Sequence, residues 1–428
     1  MQRTSNREFI RPIPLFPVLM VMKFNAHSFE KPILVLIIAC FFLPLVLAGF
    51  LQLFETPLPH TQWLRNATLQ RTILQPERLS GRTLWSGACQ KNVADRFNTG
   101  FAGREVLIRL TCEMWYRLFD KTPLNTPIVL GKDDTIFNEN YLIDYCLTRT
   151  TSSQLEPLLR DLRQLQEKCT TFGIGFVFVM TPGKASIMSE YLPQAWLARI
   201  DPRPRTYDLM VPLIEQYGLY FVNGHHLTQL AKPKALTPIF PKGGIHWDPY
   251  ASCVTANAIL STLRTQGHKI APIDYVDIRE APSPAGEECD VLSLMNLAIS
   301  WNYPTTELTI KSRPQSESSH LKIAIIGGSF MTKFSRQLSA SEPGLRIDHF
   351  FYYTKGAASY IDGQERITTA KCLNFDFKAL FASNCLVLEA NEDLLEETGP
   401  LHLREFVRDA LKYLSDHQLV AATSPRPP

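Results

Sequence analysis

Lys322-Ile323-Ala324-Ile325-Ile326-Gly327-Gly328-Ser329-Phe330 reads as a strand, a sharp turn and the start of a helix. Apolar and β-branched residues run into two glycines, and Phe330, Phe334 and Leu338 then recur at helical spacing. Ser329 is thereby set at the carboxyl end of a strand and in the first turn of a helix. Open α/β sheets bind ligands at that edge. The unpaired amides of a helix start can also hold an oxyanion once a hydroxyl attacks a carbonyl. The same pattern equally describes an ordinary βα turn with Ser329 as helix N-cap.

Outward from this turn, strands and helices alternate. Strands are expected at 128–130, 175–180, 219–222, 323–326, 349–353 and 386–388, the second a continuous apolar run typical of a buried parallel strand. Helices are expected at 96–120, 153–169, 206–217, 249–264, 330–338 and 403–414; Leu155, Leu158, Leu159, Leu162 and Leu165 give the clearest apolar stripe. This alternation predicts an α/β fold, a three-layer sandwich with a mostly parallel sheet covered on both faces. The stretch from Glu280 to Ser319 is rich in Ser, Pro and Glu and reads as a surface insertion. No internal repeat is present.

A second motif lies upstream, in Gly243-Gly244-Ile245-His246-Trp247-Asp248-Pro249. Asp248 followed by Pro249 is a helix start, a capping carboxylate with proline at the first helical position. His246 therefore sits in the loop before a helix. A loop histidine is commonly a packing residue; paired with Ser329, it would take the hydroxyl proton as the serine attacks a carbonyl.

Taken together, these segments resemble the AlgJ/AlgX-type alginate O-acetyltransferase family, a permuted SGNH hydrolase-like group in which the histidine segment precedes the serine. The resemblance runs in order from Arg96 to Leu394. It rests on Arg96-Phe97 through Gly103-Arg104, Gly131-Lys132-Asp133, Thr181-Pro182-Gly183-Lys184 with Tyr191-Leu192-Pro193, His246-Trp247, Gly327-Gly328-Ser329-Phe330, and Leu386-Val387-Leu388-Glu389-Ala390-Asn391-Glu392. It implies Ser329 as nucleophile and His246 as base.

Two motif aspartates of the family are replaced by glycine here. The triad carboxylate stands two residues before the histidine in the family, and this chain has Gly244 there; the "GDSF" aspartate is Gly328. Asp248 lies on the wrong side of His246 and is accounted for as a helix cap. Three readings follow: a Ser-His dyad, a carboxylate recruited from elsewhere, or a site that binds without catalysing. If the missing carboxylate limits the rate, Gly244→Asp is expected to raise it.

Three further residues are substrate-binding candidates, each with a plainer alternative. Lys184 follows a strand end and could steer an anionic polysaccharide, or simply face solvent. Trp247 could stack a sugar, or pack. Asn391 could donate to an oxyanion, or form a turn. His225-His226 is an adjacent pair whose side chains diverge, expected in a surface loop rather than at a metal.

The chain has 428 residues, 45% hydrophobic and 20% charged, with net charge +3. That excludes a disordered chain, and no basic, aromatic-studded block points to nucleic acid. Residues 1–31 read as a basic cytoplasmic leader, 32–53 as an uncharged transmembrane signal anchor, 54–95 as a linker, 96–422 as the periplasmic domain, and 423–428 as a disordered tail. Of the nine cysteines, Cys40 falls in the apolar run, leaving an even number that permits disulfides in an oxidising compartment. No Cys/His spacing suits zinc.

The resemblance then implies a single-pass protein of the bacterial inner membrane, with its catalytic domain in the periplasm, that transfers acetyl groups to hydroxyls of an exported, alginate-like polysaccharide through an acyl-serine. It implies a membrane-bound O-acyltransferase partner as acetyl source, and no cofactor or metal. The alternatives are a polysaccharide deacetylase or esterase, in which water takes the acyl group, and a catalytically degenerate polysaccharide-binding or assembly protein.

Overall fold

A computed structural model describes residues 104–123, 126–147, 149–299, 301–314, 321–352, 354, 356–369, 374–395 and 403–416. The expected leader, membrane anchor, linker and tail lie outside the described residues. Among the described ones, no helix is long and apolar enough to cross a membrane. The chain divides into two units, residues 1–111 and 112–428. Only the start of one helix, residues 104–111, is described in the first; the sheet and the other helices belong to the second.

In chain order the elements are α1 (Arg104–Phe119), β1 (Ile128–Leu130), β2 (Ile136–Asn138), α2 (Glu139–Leu147), α3 (Ser152–Thr171), β3 (Gly175–Thr181), α4 (Lys184–Ile187), α5 (Gln194–Leu197), α6 (Thr206–Gln216), β4 (Phe221–Asn223), α7 (Gly224–Ala231) and α8 (Pro249–Thr265). Then come β5 (Tyr275–Ala281), α9 (Asp290–Ser293), β6 (Thr305–Ile310), β7 (Lys322–Gly327), α10 (Met331–Ser341), β8 (Arg346–Phe351), β9 (Ala357–Ile361), β10 (Gln364–Thr369), α11 (Phe377–Phe381), β11 (Cys385–Asn391) and α12 (Leu403–Asp416).

Seven strands form the central sheet in the order β10-β9-β8-β7-β11-β3-β4. The run from β8 to β4 is parallel, while β9 and β10 close one edge as an antiparallel hairpin. Side chains alternate across it, as the strand period demands. Phe176, Phe178, Met180, Ala324, Ile326, Leu386 and Leu388 face α3, α6 and α12. Val177, Val179, Ile323, Ile325 and Val387 face α8 and α10. The expected three-layer, mostly parallel sandwich is what forms.

α3 shows the local logic. Its leucine stripe is buried from Leu155 to Leu165, and each fully buried leucine contributes on the order of 2 kcal/mol. Gln154 Oε1 accepts the Thr151 amide at 2.9 Å, which fixes the start. The antiparallel hairpin was not foreseen, because a strand's partner is chosen by packing rather than by its own residues. Within the expected Glu280–Ser319 surface insertion, the described residues include α9 and β6, and β5 and β6 form a separate antiparallel pair, an arm with α9 between its strands.

The described cysteines at 146, 169, 253, 289 and 385 are free thiols. Cys89 and Cys372 lie outside the described residues.

Candidate active site

β7 and β3 flank β11, and the chain departs from them toward opposite edges of the sheet. Their carboxyl ends are thus a topological switch point, where such sheets open a crevice. Ser329 follows β7 there, on the turn before α10. Gly327 permits this turn, since a Cβ on it would lie 2.7 Å from Glu389 Oε2. Glu389, at the end of β11, accepts the Gly328 amide at 2.7 Å and the Thr181 hydroxyl. Burial raises its pKa, while the Gly328 and Thr181 hydrogen bonds pull the other way. An aspartate at 328 would set a second carboxylate beside it.

His246 reaches Ser329 from the other side. Asp248 Oδ1 accepts the Ala251 amide at 2.8 Å and starts α8. Trp247 is buried and donates its indole N–H to Phe330 O at 3.2 Å, locking the histidine loop to the serine turn. Phe330 packs on both rings, 4.9 Å from His246 and 5.8 Å from Trp247 between centroids. The result is a 2.7 Å contact between His246 Nε2 and Ser329 Oγ. The two residues singled out as nucleophile and base are brought together.

A carboxylate recruited from elsewhere was among the readings, but its position was not foreseen. Asp290, the first residue of α9, lies with Oδ2 2.8 Å from His246 Nδ1. The ring N–H is not aligned on that oxygen, so this is a close polar contact with incomplete hydrogen-bond geometry, and an ion pair when the imidazole is protonated. The carboxylate is held from behind: Oδ1 accepts the amides of Val291 at 2.7 Å and Ile245 at 3.0 Å. No local signal marks Asp290, which sits in the Ser/Pro/Glu-rich stretch read as an insertion. At Gly244 the arm's backbone takes the space a side chain would need, with Glu287 O and Glu288 O 2.7 and 2.9 Å from an added Cβ. The expectation that Gly244→Asp restores a carboxylate therefore meets a steric block.

The three substrate-binding candidates are turned inward. Lys184 is only 3% exposed, and its Nζ donates to the carbonyls of Pro241 at 2.6 Å, Lys242 at 2.9 Å and Gly244 at 2.8 Å. It ties down the loop that carries His246 rather than facing a polymer. Burial lowers its pKa to about 7, against the opposing pull of the Asp290 carboxylate. Trp247 has no free face for a sugar. Asn391 donates to Pro182 O at 3.0 Å and accepts the Asp393 amide at 3.0 Å, which is the turn role.

His225 is buried at the start of α7 rather than in a surface loop, while His226 is exposed. Its Nδ1 lies 2.8 Å from Glu392 Oε2 and 3.4 Å from Ser186 Oγ. Both neighbours meet the same ring nitrogen, so this cluster has no relay geometry. Among the described residues, no group of three or more His, Cys, Asp or Glu is placed to hold a metal ion.

A serine on the turn after a central parallel strand, with histidine supplied from a preceding loop, defines an SGNH hydrolase-like α/β domain. Residues 128–341 match the family described as ALGX, SGNH hydrolase-like domain, acetyltransferase AlgX, and the chain belongs to that family. Among solved structures, the chain is similar to the O-acetyltransferase domain of Pseudomonas putida AlgJ, with 17% identity, 67% of this chain and 99% of that one covered, and TM-score 0.43. Pseudomonas aeruginosa AlgX follows with 15% identity, 69% and 68% covered, and TM-score 0.41. Bacillus cereus PatB1 with a sulfonyl adduct gives 12% identity, 63% and 97% covered, and TM-score 0.36. No curated protein sequence matches.

Proposed function

We propose that this chain is a membrane-anchored periplasmic O-acetyltransferase that modifies hydroxyls of an exported, alginate-like polysaccharide. The observation that carries the proposal is the 2.7 Å contact between His246 Nε2 and Ser329 Oγ, inside a domain of an acetyltransferase family. With Nδ1 protonated toward Asp290, the assigned tautomer leaves Nε2 as acceptor.

In the first half-reaction, Ser329 Oγ attacks the acetyl carbonyl of the donor and His246 takes the hydroxyl proton. The carbonyl re-forms, the donor's leaving group departs with the proton from His246, and acetyl-Ser329 remains. In the second, a sugar hydroxyl gives its proton to His246 and attacks the acyl-serine. Ser329 leaves with that proton, and the sugar carries the acetyl ester. Asp290 stabilises the transient imidazolium throughout. The membrane-bound O-acyltransferase partner is the proposed acetyl source. The anchor at 32–53 would keep this chain beside it.

The test is release of 4-nitrophenol from 4-nitrophenyl acetate by the full chain in detergent, with and without an alginate acceptor. Ser329→Ala is expected to abolish release, and acceptor is expected to divert acetyl from water to polymer. Wild-type release equal to that of Ser329→Ala overturns the proposal. Release with no transfer to any polymer assigns an esterase instead.

A further inference from the structure

We propose that Glu287 and Lys333 are a positioning pair for this site: their ion pair docks the 275–310 arm on the serine's helix so that Asp290 meets His246. The inference rests on the reading of Ser329 and His246 as nucleophile and base.

The carboxylate is not carried by the central sheet. Asp290 sits between β5 and β6, a two-stranded sheet of its own in which β5 is largely exposed and β6 starts with buried Thr305 and Thr306. Where the carboxylate stands therefore depends on what holds the arm. One set of contacts joins it to the histidine loop: the Leu292 amide donates to Gly243 O at 2.9 Å, and Tyr303 Oη accepts the Gly243 amide at 3.0 Å while donating to Glu288 O at 2.6 Å. Val291 and Met295 add an apolar anchor against Tyr116, Ile128 and Ile136.

Those contacts fix the arm on the histidine loop, which reaches the serine turn through Trp247 and His246 themselves. A direct polar link to the serine's helix is Glu287, three residues before Asp290 and at the tip of the arm; β6 adds Leu308 and Ile310, packed on the cluster that holds Phe334 and Leu338. Glu287 meets Lys333 Nζ at 3.2 Å and Arg336 at 3.2 Å, both on α10, the helix that follows the serine. Lys333 is 12% exposed and Glu287 22%, so their pair is partly shielded from solvent. Arg336 makes the hydrogen bond to Glu287 but is more exposed and shared with Glu365 at 2.8 Å; Lys333 is the less exposed charge, and its contact has no hydrogen-bond geometry. The backbone of Glu287 and Glu288 is also what fills the space beside Gly244. The carboxylate's move to position 290 and the arm's seat on α10 are thus one arrangement.

A double-mutant cycle on the full chain tests this, reading kcat and KM for 4-nitrophenyl acetate. Lys333→Met and Glu287→Gln are each expected to lower kcat about tenfold, with KM within about twofold. In an Asp290→Asn background the same changes are expected to cost less than about twofold, because the group they position is already gone. Thermal melts accompany every variant. If Lys333→Met does not fold, Glu287→Gln carries the cycle. Unchanged kcat in both single variants, or an equal loss in the Asp290→Asn background, overturns the pairing while Ser329→Ala still kills activity. Wild-type activity no greater than Ser329→Ala overturns the nucleophile reading instead, and the pairing with it.

Discussion

Asp290 and His246 meet at 2.8 Å across two segments that have no local relation in the chain, a loop before α8 and the tip of an arm beside the sheet. The carboxylate absent from position 244 is thereby supplied from position 290. If it holds the imidazole as an orienting aspartate does, Asp290→Asn should lower kcat by up to about 10⁴-fold with little change in KM. Steady-state kinetics on 4-nitrophenyl acetate read this directly. A loss under about twofold would leave a working Ser-His dyad.

Gly244→Asp should not rescue Asp290→Asn. A Cβ at 244 would press on the carbonyls of Glu287 and Glu288, and moving them displaces the arm. We expect the single variant to lose both activity and thermal stability, the latter by about 1–3 kcal/mol as for other overpacked positions. A double variant faster than Asp290→Asn alone would show that the arm yields.

Lys184→Met should uncouple the histidine loop from β3. Three carbonyls lose their donor together, and a buried carbonyl without a partner costs about 1–3 kcal/mol. A lower urea midpoint together with a fall in kcat is expected. Polymer affinity should be unaffected, since this ammonium does not face the crevice. A variant that weakens polymer binding while keeping its urea midpoint would return Lys184 to the substrate.

Asp248 should give the folded state a specific pH dependence. Burial raises its pKa from 3.8 to about 6, with the Ala251 amide opposing. The folded protein therefore keeps this proton up to about pH 6, whereas the unfolded chain releases it near pH 4. Its contribution to stability is fully present below about pH 4 and is lost as pH rises through 6. Asp248→Asn keeps an oxygen for the cap and has no proton to lose, so its urea midpoint should fall less than that of the wild type between pH 5 and 7. Parallel midpoints for the two proteins would sink this assignment.

Several features were legible because they are local. β-branched runs such as Lys322–Gly327 prefer a pleated surface, two glycines permit a tight turn, and Asp248-Pro249 starts a helix wherever it occurs. Ser329 and His246 carry their chemistry in the residue type, and their segments place both beside element ends. The α/β class and the two principal site residues follow from such short-range preferences.

The roles of Lys184, Trp247, Asn391 and Asp290 were decided by packing. A lysine after a strand reads as solvent-facing until three carbonyls of a distant loop surround it, and a tryptophan beside a histidine leaves stacking and packing both open until Phe330 covers it. An aspartate in a polar stretch carries no mark of the imidazole it will meet. By itself, the sequence determined the parallel strands with their covering helices and placed Ser329 and His246 beside element ends, because a helix cap, a glycine turn and a strand run act within a few residues. Only the tertiary structure decided which carboxylate faces His246 and which polar groups turn inward, because those depend on what non-local packing places within hydrogen-bond reach.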